Sequence, residues 1–133
     1  MYRVDTKVCE LWNKLLEKYK GTYCIESFHP FAVKWYRKNR PDILRGQLSE
    51  HFIRDGKKEF TMFLMTYLLT NFITRPDFIA YRHKDADNIS RRICKGLGAL
   101  SVAWTIRSQA EYEKAKKHFD LFIFDSCILK NPQ

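Results

Sequence analysis

Leu100-Ser101-Val102-Ala103-Trp104-Thr105-Ile106, then Ser108-Gln109-Ala110-Glu111, then Leu121-Phe122-Ile123-Phe124: these three pieces decide the fold class. The first is long, rich in β-formers and bounded by turn residues, which predicts a strand. The second is a capping box, a serine with glutamate three residues later, and opens a helix that the pattern carries through about Phe119. The third predicts another strand, ending at Asp125-Ser126. Two strands joined by a connection long enough to hold a helix pair side by side in the same direction.

The same alternation runs back to the start of the chain. Val8, Leu11, Trp12, Leu15, Leu16 and Tyr19 recur at helical spacing and stop at Gly21, read as a C-cap. Tyr23-Cys24-Ile25 is a strand leading into Glu26-Ser27-Phe28. Pro30 opens a helix carrying Ala32, Trp35 and Tyr36, which ends before Pro41. Ile43 to Leu48 is the second strand, and the polar connection from Ser49 to Lys58 leads into an apolar helix from about Glu59 to Ile73. Asp77 to Tyr81 is the third strand, and a helix from about Asn88 to Leu97 precedes the fourth at Leu100. Five strands alternating with helices predict an α/β fold with parallel pairing. The strands read as apolar on both faces, as covered parallel strands are. No glycine-rich phosphate loop follows any of them, which argues against a nucleotide-binding sheet.

The chain has 133 residues and a formal net charge of +9, from 24 Lys and Arg against 15 Asp and Glu. The positive residues fall in short clusters such as Arg37-Lys38, Lys57-Lys58, Arg91-Arg92 and Lys116-Lys117. With no run of five like charges, a nucleic-acid-binding tail is not indicated; solvated helix faces or attraction of a phosphate ligand account for the excess. Cys9, Cys24, Cys94 and Cys127 have neither zinc-site spacing nor a disulfide framework and read as small buried apolar groups. The start of the chain has no signal-peptide pattern. The longest apolar run, Phe60 to Phe72, is interrupted by Thr61, Thr66, Thr70 and Asn71 and falls short of the ~20 residues a membrane span needs. The reducing cytoplasm is the expected compartment.

Function in parallel α/β folds gathers past the carboxyl ends of the strands. Those positions hold Glu26, Ser27, Phe28 and His29; Gln47, Ser49 and Glu50; Tyr81, Arg82 and His83; Trp104, Thr105 and Arg107; Asp125 and Ser126. Arg and Tyr there supply donors and Trp an apolar wall, a set able to hold a polyol or phosphate. Glu26 and Asp125 are the carboxylates that could bind metal, but helix capping or pairing with Arg explains them equally. His29, before Pro30, suits a turn. Trp104 reads as core or as a ligand contact. No complete hydrolytic constellation assembles from these residues.

Four stretches together resemble one known family: Tyr23-Cys24-Ile25-Glu26-Ser27-Phe28 followed by a helix, Arg40 to Leu48, Ala103-Trp104-Thr105-Ile106, and Phe122-Ile123-Phe124-Asp125-Ser126. In this order and spacing they resemble the C-terminal half of the glycerophosphodiester phosphodiesterases. The resemblance implies a partial TIM barrel over residues 1–133, with the N-terminal catalytic half absent. It further implies a phosphoric diester hydrolase of lipid and glycerol metabolism, which releases glycerol 3-phosphate and an alcohol and uses Mg²⁺ or Ca²⁺ in its complete form. The family's His-Arg-Gly, Glu-x-Asp and His-Asp motifs do not occur here, so no catalytic or metal-binding residue is expected and these residues alone should be inactive. Glu26 directly precedes Ser27-Phe28 and is not the family's metal-binding glutamate, which belongs to the strand before. Phe28 and Trp104 correspond to positions facing the active-site mouth and are the expected substrate contacts. The family's usual Thr-Asp-x-Pro ending is here Phe124-Asp125-Ser126-Cys127. The expected alternatives are a non-catalytic module for phosphate or phospholipid head groups, or a half-barrel that assembles with a partner. Open sheet edges predict self-association.

Overall fold

Every predicted strand forms, and each pairs in parallel with the next along the chain. The computed structural model describes residues 6–54, 56 and 59–129; the Lys57-Lys58 pair lies outside the described residues. Elements follow in the order α1 (Thr6–Leu16), β1 (Cys24–Ser27), α2 (Pro30–Asn39), β2 (Leu44–Ser49), α3 (Phe60–Thr66), α4 (Asn71–Thr74), β3 (Phe78–Arg82), a 3-10 turn (His83–Asp85), α5 (Ile89–Gly96), β4 (Leu100–Ile106), α6 (Gln109–Ala115) and β5 (Leu121–Phe124). The sheet order is β1-β2-β3-β4-β5, all parallel, so the sheet is a curled part of a TIM-like barrel with β1 and β5 as open edges.

Register and alternation sort the side chains into two faces. Leu48, Ala80, Val102 and Leu121 stand in one row across four strands, and Gly46, Phe78 and Leu100 in the row below. This is the inner face, where Phe78, Ala80 and Val102 pack with Leu48, Trp104 and Ile123. Gly46 belongs there because a Cβ would run into the ring of Phe78 on the neighbouring strand. On the outer face Ile79, Tyr81, Ala103 and Ile106 pack under Leu68, Ala115 and Phe119 from the helical layer. A second outer cluster joins Cys9 of α1, Tyr36 of α2 and Ile43.

The helices cover only the outer face. Inner-face Leu44, Leu100 and Leu121 are 57%, 42% and 51% exposed, respectively. The expectation of apolar strands covered on both sides therefore fails in two ways. The inner face is apolar but open, and the covered face of β2 carries the buried polar residues Arg45, Gln47 and Ser49.

Buried polar groups tie the helical layer to the sheet. Arg91 of α5 is buried and donates to the Ala86 carbonyl at 2.9 and 2.6 Å and to the His118 carbonyl at 3.1 Å, with its guanidinium over the Phe119 ring. Burial lowers its pKa from the ordinary arginine value, and these carbonyls supply the acceptors a buried guanidinium needs. Tyr81 donates to the Thr66 carbonyl at 2.7 Å, and burial pushes its hydroxyl well above the usual tyrosine range.

That Thr66 carbonyl also explains a difference from the sequence reading. The expected single helix from Glu59 to Ile73 is two short helices. A continuing helix would give the Thr66 carbonyl to the N–H of Thr70; here it accepts the Tyr81 hydroxyl and, at 3.3 Å, the Asn88 amide. Leu68 takes a positive φ of 55° and turns into the outer core. Packing of one leucine and two polar anchors outweighs helical continuity. The first helix stops at Leu16 rather than at Gly21, and its apolar residues Val8, Leu11, Trp12 and Leu15 face outward, because α2 meets it on the side of Cys9 and Asn13. Ser108 caps α6 by accepting from the Glu111 N–H, while the Glu111 carboxylate reaches back to the Arg107 N–H rather than that of Ser108, and α6 ends at Ala115, short of Phe119. Cys9 is buried as expected, whereas Cys24 is exposed.

Candidate functional site

Residue 28 follows β1 and residue 104 lies near the end of β4, yet Phe28 and Trp104 meet edge to face with ring centroids 5.4 Å apart. The Gln47 amide secures this approach by donating to the carbonyls of Ser27 (3.1 Å), Phe28 (3.0 Å) and Leu48 (3.0 Å). The indole N–H of Trp104 donates to the Ala80 carbonyl at 3.0 Å and the Ser49 carbonyl at 3.2 Å. With its N–H engaged by the protein, Trp104 offers a ligand only ring surface, an apolar wall at the carboxyl end of the sheet. Phe52 also packs edge to face on Phe28, with centroids 6.2 Å apart, and is buried. Its place in a mostly polar connection gives no sign of this role in the sequence.

Beside this aromatic rim runs a charged lattice. Asp85 is buried and accepts from the backbone N–H of His51 at 3.0 Å, from Arg54 Nη1 at 3.0 Å and from Arg82 Nε at 2.6 Å. Arg82 also reaches Glu50 at 3.0 Å. Both arginines are thereby bound by carboxylates in positions where a phosphate would otherwise be drawn to them. Of the residues expected at the strand ends, Glu50 and Arg82 join this lattice; Asp85 and Arg54 were not singled out from the sequence. Nothing in the sequence distinguishes either of them from the charged residues around it.

The remaining candidates take structural roles. His29 caps α2, its Nδ1 accepting from the Phe31 N–H at 3.3 Å, which is the turn role expected of it; burial lowers its pKa. His83 faces Glu111 at 3.7 Å, and burial outweighs that carboxylate to lower its pKa. Asp125 pairs with Arg107 at 3.3 Å and accepts from the Ser126 hydroxyl, which together hold its carboxyl below the usual range. Glu26 stands on the inner-face row of Gly46 and Phe78; displacement of water by nearby protein raises its pKa, tempered because solvent still reaches the side chain.

Glu26 and Asp125 lie at opposite edges of the sheet, on β1 and just beyond β5, so they do not share an ion. Among the described residues no three His, Cys, Asp or Glu side chains gather into a group able to hold a metal. The residues described do not fit the divalent ion that the family resemblance implies.

No protein-family model matches the chain, and no curated protein is significantly similar to it in sequence. Solved structures do match. A phosphodiesterase of Oleispira antarctica, solved with its product sn-glycerol-3-phosphate, superposes over 87% of this chain with a TM-score of 0.63 and 15% identity. A Silicibacter pomeroyi protein assigned as a glycerophosphoryl diester phosphodiesterase superposes over 90% with a TM-score of 0.68 and 13% identity. The chain has the fold of part of the barrel seen in those two structures. It spans 44% and 40% of those two chains, less than half the length of either. The extent of this partial barrel accounts for the bare inner face: the five strands lie side by side, and nothing among the described residues closes them into a ring. No helix among the described residues is long and apolar enough to cross a membrane.

Proposed function

We propose that the chain is part of a glycerophosphodiester phosphodiesterase, an enzyme of cytoplasmic lipid and glycerol metabolism. In this reading it supplies a ligand-facing wall of the barrel, and the chemistry comes from elsewhere. The observation that carries the reading is the Phe28–Trp104 pair at the carboxyl rim of an inner face left open at Leu44, Leu100 and Leu121. Similarity in fold to a phosphodiesterase solved with sn-glycerol-3-phosphate supports it. The aromatic rim suits the carbon face of a glycerol unit, and the complete enzyme would add Mg²⁺ or Ca²⁺ to neutralise the phosphate and activate the nucleophile. Without a carboxylate cluster, these residues alone hydrolyse nothing. The open face needs a cover, and in a solution of this chain the cover on offer is a second copy.

The test has two arms. Incubated with glycerophosphocholine and Mg²⁺ or Ca²⁺, the purified chain should release no glycerol 3-phosphate above background. In a Trp12→Phe/Trp35→Phe variant, which leaves Trp104 as the only tryptophan, millimolar glycerol 3-phosphate should change the fluorescence. Metal-dependent turnover abolished by EDTA would overturn the inactive-wall reading. A Trp104 signal indifferent to glycerol 3-phosphate would overturn the ligand role of the rim.

A further inference from the structure

Ile89, Ile93 and Leu97 recur every fourth residue along α5 and its C-cap, so they form one stripe. Arg91 and Cys94 point inward, the first buried and the second against the outer core. The stripe therefore occupies the solvent pole of the helix, where the three residues are 62%, 55% and 83% exposed. An amphipathic helix that buries an arginine toward its core and presents aliphatics outward is inverted relative to an ordinary surface helix.

A second, independent feature adjoins the stripe. Two hollows of about 520 and 560 Å³ share Lys84, Ala86 and His118; Arg92 of α5 lines the first, and Lys114 and Lys117 line the second. The carboxylates facing this region are already engaged. Asp87 is held by Arg54 at 3.0 Å, Asp120 by Lys95 at 3.0 Å and Glu113 by Lys116, while Glu111 accepts the Arg107 N–H at 2.7 Å. Lys84, Arg92, Lys114 and Lys117 make no ion pair among the described residues. These four cations, without an ion pair among the described residues, converge on a concave surface that also holds Asp87 and Glu111, and their excess leaves it net positive. No Phe, Tyr or Trp lines the hollows, so bases would find only imidazole and guanidinium groups to stack on, which disfavours single-stranded nucleic acid.

We infer that the α5–α6 face docks on an anionic membrane surface, with Ile89, Ile93 and Leu97 entering the interface and Lys84, Arg92, Lys114 and Lys117 meeting acidic lipid head groups. Aliphatics on the outward pole beside unpaired cations are the two components interfacial binding needs, and one charge-independent component alone gives little selectivity. The inference does not depend on the phosphodiesterase reading. This face belongs to the helical layer, on the other side of the sheet from the inner face that carries Trp104.

Vesicle flotation on a density gradient tests it, because self-associated protein without lipid stays at the bottom. The chain should float with phosphatidylcholine–phosphatidylserine vesicles at low salt, progressively less as salt rises, and not with phosphatidylcholine alone. Ile93→Glu should cut the floated fraction by about fivefold or more, and Lys114→Glu/Lys117→Glu should do the same. Both substitutions change exposed residues and should leave the Trp104 fluorescence response to glycerol 3-phosphate intact, so failure here is distinguishable from failure of the functional proposal. Equal flotation on neutral vesicles, or unchanged flotation of both variants, would overturn the inference. So would absence of flotation alongside saturable binding of inorganic pyrophosphate, which would mean that the cations read free phosphate instead.

Discussion

Replacing Asp85 by alanine should destabilise the fold by about 3 kcal/mol, because one buried carboxylate joins three donors from two segments of the chain. Its oxygens hold the His51 N–H and Arg54 of the β2–α3 connection against Arg82 at the end of β3. Without them the His51 N–H loses its acceptor, at a cost of about 1–3 kcal/mol, and two guanidiniums are left facing each other. Arg54 is half exposed and regains water, which keeps the loss at the lower end of the range for a broken buried pair. Urea melts at matched protein concentration measure the loss, and a shift below about 1 kcal/mol would mean that Asp85 does not organise this rim.

The second large effect belongs to Trp104→Ala, expected to cost about 2–3 kcal/mol. Full burial of a tryptophan would set about 3–5 kcal/mol, but this ring is only partly covered. What is lost is contact with the inner-face cluster, the edge of Phe28 and two hydrogen bonds to carbonyls of β2 and β3. Removing the indole leaves the Ser49 and Ala80 carbonyls without that donor. The same substitution should abolish the response of the rim to glycerol 3-phosphate, since Phe28 then faces a gap. A stability change under about 0.5 kcal/mol would show that the ring contributes nothing to the core.

Strand positions were the most legible part of this fold. Leu100–Ile106 and Leu121–Phe124 form as read, because β-rich runs bounded by turn residues leave little alternative. The helix over residues 59–73 was misread because periodicity does not report a carbonyl diverted to Tyr81 and Asn88. The apolar stripe of α1 forms but faces outward, since periodicity finds a face but not what the face meets. At the site, Phe28 and Trp104 were reachable through strand order, as both lie toward the carboxyl ends of parallel strands. Their direct contact was not, since it depends on the curl of the sheet and on Gln47 clasping the carbonyls of the last residue of β1 and the residue after it. Asp85 was hidden because an aspartate among charged neighbours looks solvated in sequence.

This sheet is part of a barrel whose inner face is left bare. Closure is what removes sheet edges, and β1 and β5 present unpaired N–H and C=O groups beside exposed Leu44, Leu100 and Leu121. The net charge of +9 opposes association, but it acts through a screening length of about 8–10 Å while the edges and leucines act on contact. Size-exclusion chromatography with light scattering at micromolar concentration measures the outcome directly. Dimers or larger species are expected, and their mass should fall toward that of one chain when Leu44 and Leu121 are changed together to glutamate. A compact monomer that melts cooperatively without any substitution would mean that the chain closes its own core, and the partial-barrel account would be contradicted.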